Sequence, residues 1–125
     1  MMIELELPYP VATNRYWRTF RNRMVVSKEA TIFKKQVAMI CAQAGCKPTD
    51  EFVDVHLKIR PRLTKKGDAS KVVVDLDATK VIFDALQGWV FVDDNQVKRI
   101  LAEYGEPVEG GGTYVRVMKF EKKGL

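Results

Sequence analysis

Residues 72–86 constrain this chain more than any other stretch. A valine run, Val72 to Val74, gives way to Asp75 and Asp77, and then to a helical pattern. At 100° per residue, Ala78, Ile82, Ala85, Leu86 and Trp89 fall in one sector, which predicts an amphipathic helix from about 77 to 88, stopped by Gly88. Asp77, Lys80 and Asp84 fall on the opposite side, at i, i+3 and i+7. The spacing therefore predicts a strand-to-helix junction that carries two carboxylates, with a lysine one turn along.

Acid gathered there stands out because the chain is basic. Its 125 residues hold 21 Lys and Arg against 16 Asp and Glu, a net charge of +5. That excess is compatible with nucleic acid, with an acidic membrane surface, or with no specific partner. The length suits one domain spanning 1–125 with one modest core, and dimerisation is a common remedy for a small buried fraction. No apolar run approaches the roughly 20 residues of a membrane span, and Glu4 stands where a signal peptide would be cationic. A cytoplasmic protein is expected. Cys41 and Cys46 form no CxxC and are read as reduced, partly buried thiols.

Residues 2–7 alternate as a half-buried strand, ended by Pro8 and Pro10. Residues 14–23 then hold Arg15, Arg18, Arg21 and Arg23 among Tyr16, Trp17 and Phe20. Arginine forks match phosphate oxygens, and aromatic faces stack on bases. The alternative is a basic surface loop with its aromatics tucked into the core, but no regular periodicity hides all three. Ser27 is a plausible N-cap, and Ala30, Phe33, Val37, Ile40, Cys41 and Ala44 mark one face of a scaffold helix that stops at Gly45.

Residues 52–60 alternate again, with Val53, Val55, Leu57 and Ile59 facing one way. His56, the only histidine, lies on the polar side and reads as a solvated or hydrogen-bonded surface residue. Pro61 to Lys71 is expected to be a mobile basic loop, which with Arg60 carries five cations beside the carboxylates. No Gly-rich nucleotide-binding loop is present, so no nucleotide cofactor is expected. Strands are expected at Val97–Tyr104 and Thr113–Phe120, joined through Pro107 and Gly110–Gly112 as an antiparallel hairpin. Residues 122–125 are expected to be a frayed tail.

Capping explains Asp75 and Asp77 acceptably, and turn chemistry explains Asp93-Asp94-Asn95. The functional reading needs oxygen ligands for a hard cation. Mg²⁺ takes a few carboxylates, waters and substrate phosphate, and a pair of ions about 4 Å apart stabilises in-line phosphodiester hydrolysis. Lys80 could then stabilise the developing phosphorane charge or orient water.

At this point the chain resembles the RusA-like Holliday junction resolvases. Leu7-Pro8-Tyr9-Pro10 with Asn14-Arg15-Tyr16-Trp17-Arg18 is similar to the family's N-terminal segment. Asp75-Leu76-Asp77, Lys80 and Phe83-Asp84-Ala85-Leu86 resemble its central motif, and Asp93-Asp94-Asn95-Gln96-Val97 resembles its acidic pair. Ala78 stands where the family usually has Asn, and the interval from Asp77 to Lys80 is one residue shorter than the common pattern. A helix that starts one residue later would restore the lysine's direction.

The resemblance implies an α+β fold: a small mixed β-sheet with two main helices, ordered roughly β-α-β-α-β-β, in an intertwined homodimer. It implies an endodeoxyribonuclease that binds four-way DNA junctions and resolves them by paired symmetric nicks, in a bacterial cell or a phage-infected host. Carried over by position, Asp75, Asp77 and Asp94 would hold Mg²⁺ (or Mn²⁺), with Asp93 a less certain ligand and Lys80 the catalytic lysine. The expected DNA contacts are Asn14, Arg15, Tyr16, Trp17, Arg18, Arg21, Arg23, Arg60, Arg62, Lys65, Lys66 and Lys71. The competing readings are a non-catalytic, structure-selective nucleic-acid-binding protein and a basic interaction protein.

Overall fold

The computed structural model describes residues 1–121; the expected frayed tail at 122–125 lies outside them. The described residues form an α+β fold. Strand β1 (Met2–Leu7) is followed by a short hairpin, β2 (Trp17–Phe20) and β3 (Arg23–Val26), and by helix α1 (Lys28–Gln43). Strand β4 (Val53–Arg60), helix α2 (Thr79–Leu86), and strands β5 (Val97–Tyr104) and β6 (Gly112–Lys119) complete the chain. The main sheet is mixed, in the order β1-β6-β4-β5. No described helix is long and apolar enough to cross a membrane.

Strict alternation sets the sheet. Val53, Val55, Leu57 and Ile59 of β4 are all at most 1% exposed, with Val115 and Val117 of β6 and Leu5 and Leu7 of β1 beside them. Ala30, Phe33, Val37 and Cys41 of α1 join this side, together with Ile82 and Leu86 of α2 and Phe91. Each such fully buried side chain contributes about 1.5–3 kcal/mol. Helix α1 starts where its sequence says it should: Ala30 N donates to the Ser27 Oγ at 3.1 Å. It stops at Gly45, whose φ of +70° suits a residue without Cβ. Ala44, assigned to the buried face from its spacing, is exposed because the helix has ended there. Both cysteines are free thiols. Cys41 is buried, and burial, then its neighbour Cys46, pushes its thiol up to about 12.

Three expectations need correction. First, β5 and β6 do not pair. β5 lies parallel to β4 on one side and β6 antiparallel to it on the other. Strand β4 buries every inward residue and so takes the centre. Strand β5, with Lys98, Arg99 and Glu103, suits a solvated edge. Second, residues 17–26 are a hairpin of their own rather than a loop, turning on Arg21 (φ 49°) and Asn22 (φ 60°). Third, residues 72–75 belong to no strand, so the carboxylates follow an extended loop. A 3-10 turn at Leu76–Ala78 comes next, and α2 begins two residues later than the periodicity suggested.

Candidate active site

The N-terminal segment, the loop before α2 and the turn before β5 meet on the helix side of the sheet. Three adjoining hollows mark the meeting. One, of about 270 Å³, is bordered by Thr13, Asn14, Val74, Asp75 and Asp77. The next, of about 570 Å³, is bordered by Thr13, Tyr16, Trp17, Lys80, Asp84 and Asp94. The third, of about 440 Å³, is bordered by Tyr9, Asn14, Arg15, Arg62 and Val72 to Val74. Thr13 is common to the first two, and Asn14, Val73 and Val74 to the first and third. These shared residues set the three hollows side by side as a shallow trough. Asp75 and Asp77 sit in its middle, Lys80 and Asp94 lie at one end, and Arg15 and Arg62 lie at the other.

Side-chain capping engages neither central acid, although Asp77 does hold the first-turn position that favours a carboxylate. Asp75 occupies the N-cap position of the 3-10 turn but makes no side-chain cap hydrogen bond. Helix α2 is likewise uncapped by any side chain, its N-cap position being Ala78. Among the described residues, Asp75, Asp77, Asp94 and Lys80 make no side-chain hydrogen bond or ion pair, and all four are exposed.

Their acidic neighbours do have partners. Asp93 accepts from Asn95 N at 2.9 Å and forms a capping box with Gln96. Turn chemistry therefore accounts for Asp93 and leaves Asp94 to project. Gln96 is buried and makes four hydrogen bonds. Its Oε1 accepts from Val92 N and Asp93 N, both at 2.8 Å, while its Nε2 donates to Thr49 O and Glu51 O at 2.8 and 2.7 Å. Each is worth about 1 kcal/mol net, and together they fix the turn that presents Asp94.

Asp84 is occupied as well. It pairs with Lys34 of α1 at 3.2 Å and accepts a short hydrogen bond from the Tyr16 hydroxyl. Burial first, then Asp84, pushes the Tyr16 phenol up to about 12, so it stays a donor at any ordinary pH. This contact pins the N-terminal segment over both helices and holds Trp17 beside Lys80.

Two tyrosines that the sequence reading passed over hold the carboxylate loop. Val74 N donates to the Tyr9 Oη at 2.9 Å, and the Tyr104 Oη donates to Val74 O at 2.9 Å. The Tyr104 phenol is raised by partial burial, then by the nearby charges of Asp75, Tyr9 and Asp77. The family motif did contain Tyr9, but its spacing assigns it no contact. Tyr104 reads as an ordinary strand residue.

The expected DNA contacts divide into two groups. Arg15, Asn14, Tyr16, Trp17 and Arg62 border the trough. Arg18, Arg21 and Arg23 extend from it along the exposed hairpin, while Lys65, Lys66 and Lys71 lie exposed in the loop before the acids. Between Glu6 and Glu29 the sequence holds no acid at all. Arg60 stands apart on the outer face of the sheet, bound to Glu6 at 2.8 Å and stacked on Tyr114. Other pairs share that face: Asp54 pairs with Arg99, and His56 Nε2 lies 2.7 Å from Glu103. His56 is thus hydrogen-bonded through Nε2 on the outer face, but its side chain is only 14% exposed and its Nδ1 is buried without a partner among the described residues.

The donor set suits a hard cation. Asp75 and Asp77 share one hollow, and Mg²⁺ commonly uses one or two carboxylates, completing its octahedron with water and phosphate oxygens. Among the described residues no three acidic, His or Cys groups form a cluster that could hold a metal ion; Asp94 borders the adjoining hollow and does not share one with Asp75 and Asp77.

Comparison with known families gives the class of protein. The family profile described as endodeoxyribonuclease RusA matches residues 8–118, from the proline after β1 to the last but one residue of β6. The chain therefore belongs to the RusA family of endodeoxyribonucleases, enzymes that resolve Holliday junctions. No curated protein sequence matches it significantly.

Proposed function

We propose that this chain binds four-way DNA junctions as a homodimer and resolves them by Mg²⁺-dependent, paired, symmetric nicks. One observation carries the reading: four charged groups, Asp75, Asp77, Lys80 and Asp94, border two adjoining hollows without side-chain partners among the described residues, while the adjacent Asp84 and Asp93 each have one. Leaving like charges near each other without compensation has a cost, and a cation with a phosphate ligand removes it.

Asp75, Asp77 and Asp94 would hold the metal, with Asp93 kept as the cap of its turn. When bound, the ion polarises the scissile phosphate and makes a coordinated water a stronger nucleophile. Lys80 places a positive charge where negative charge grows on the phosphate oxygens. Arg15, Arg62 and the arginines of the hairpin bind the flanking backbone. Trp17 offers an aromatic face to a base beside the cut. A two-fold dimer suits a junction with two equivalent strands to cut. The reaction belongs in the compartment that holds the DNA, the cytoplasm of a bacterial cell or phage-infected host.

The test compares a four-way junction with linear duplex, each with Mg²⁺ or a chelator. We expect retardation of the junction in either condition, weakening steeply with salt, and cut products only from the junction in Mg²⁺. Equal cleavage of duplex, or cleavage in chelator, contradicts the reading.

A further inference from the structure

We propose that Tyr9 and Tyr104 are positioning residues: their hydroxyls hold Val74 by its backbone N–H and its C=O, fixing the two peptide groups that flank it, and thereby aim Asp75 and Asp77. The inference rests on the site reading above but concerns residues outside the acid cluster.

Residues 72–75 make no strand ladder, so nothing repetitive fixes the direction in which Asp75 leaves the loop. The two hydroxyls supply what a ladder would. One accepts from Val74 N and the other donates to Val74 O, both at 2.9 Å. The Val74 carbonyl belongs to the peptide that leads into Asp75, so fixing its plane fixes the start of the Asp75 side chain. The clamp arms are themselves held. The Arg62 guanidinium lies 4.1 Å from the centre of the Tyr9 ring. Gly111, at φ +74°, approaches the same ring so closely that a Cβ there would fall 2.4 Å from its Cδ1. Tyr104 comes from the last residue of β5, whose backbone is tied to the central strand. The loop bearing the acids is thus referred to the sheet through two side chains. Partners that orient metal ligands in this way commonly affect metal affinity by about 10–100-fold.

Tyr9→Phe and Tyr104→Phe each remove one hydroxyl and keep the ring. We expect the melting temperature and the junction affinity in chelator to stay close to wild type. In Tyr9→Phe, hydrogen exchange of the Val74 amide should speed up about tenfold. In both variants the Mg²⁺ concentration for half-maximal cleavage should rise by about 10–100-fold. An unchanged Val74 exchange rate overturns the clamp. Faster exchange with an unchanged Mg²⁺ requirement overturns its positioning role. Failure of the site reading looks different: wild type itself then shows no Mg²⁺-dependent cleavage, which removes the positioning role while the exchange rate still reports the clamp.

Discussion

Asp77→Asn is expected to abolish junction cleavage, lowering the rate by about 10³-fold or more, while leaving junction binding intact. The substitution is nearly isosteric. Asp77 makes no side-chain hydrogen bond or ion pair among the described residues and is exposed, so no folded contact is lost. What changes is a charge: a neutral amide is a poor ligand for a hard dication, and Asp75 alone then remains in that hollow. Binding, on the proposed reading, would draw on Arg15, Arg62 and the hairpin arginines, none of which contacts Asp77. Removing one negative charge from beside the phosphates should leave affinity equal to wild type or slightly tighter. Gel retardation in chelator and a cleavage time course in Mg²⁺ read the two effects separately. Near-wild-type cleavage by this variant would remove Asp77 from the site.

Lys80→Ala is expected to lower the cleavage rate by about 10²–10³-fold with little change in the Mg²⁺ requirement. Lys80 lies on the exposed stripe of α2 and borders the hollow that Asp94 also borders. No carboxylate among the described residues neutralises it, so its full charge is available to the phosphate. An ammonium is a compact point charge, whereas a guanidinium is planar and larger. Lys80→Arg should therefore recover only part of the rate. Single-turnover rates at saturating Mg²⁺ measure this. Full recovery by Arg would mean that the position supplies phosphate binding rather than aimed charge.

Much of the architecture was legible because burial enforces period. The alternation of Val53, Val55, Leu57 and Ile59 names a strand with one buried face, and Ser27 with Phe33, Val37 and Cys41 names a capped helix. The hairpin at 17–26 was hidden because its strands are exposed or only partly buried, so no alternation marks them. Its tip places Arg21 in the left-handed region, where glycine or asparagine would have signalled the turn. The order of β5 and β6 was missed because pairing depends on which strand must be central, a property of the whole sheet. Residues 72–74 read as a strand from composition, yet Val72 is 80% exposed and the loop pairs with nothing.

The site was legible as a set of residue types and illegible as a set of contacts. Asp75, Asp77, Lys80 and Asp94 could be named because acid near a lysine in a basic chain is unusual. Helix α2 starts at Thr79, two residues later than the periodicity suggested, whereas the shortened interval between Asp77 and Lys80 asks for a delay of one. The separation of Asp93 from Asp94 required the capping box and the four bonds of Gln96. Tyr9 and Tyr104 act from positions 65 and 30 residues away from Val74 in sequence, and no local pattern encodes such a partnership. The withdrawal of Arg60 to Glu6 likewise follows from which face of β4 it occupies.

The central claim is that one trough on each of two paired subunits cuts one strand of a junction. The direct measurement is to label each of the four strands of a junction in turn, add protein and Mg²⁺, and map every nick. We predict two nicks per junction, at symmetry-related positions on opposed strands, giving ends that ligate to intact duplex, and none when Mg²⁺ is chelated. Nicks confined to one strand, scattered along the arms, or formed equally in chelator would contradict it.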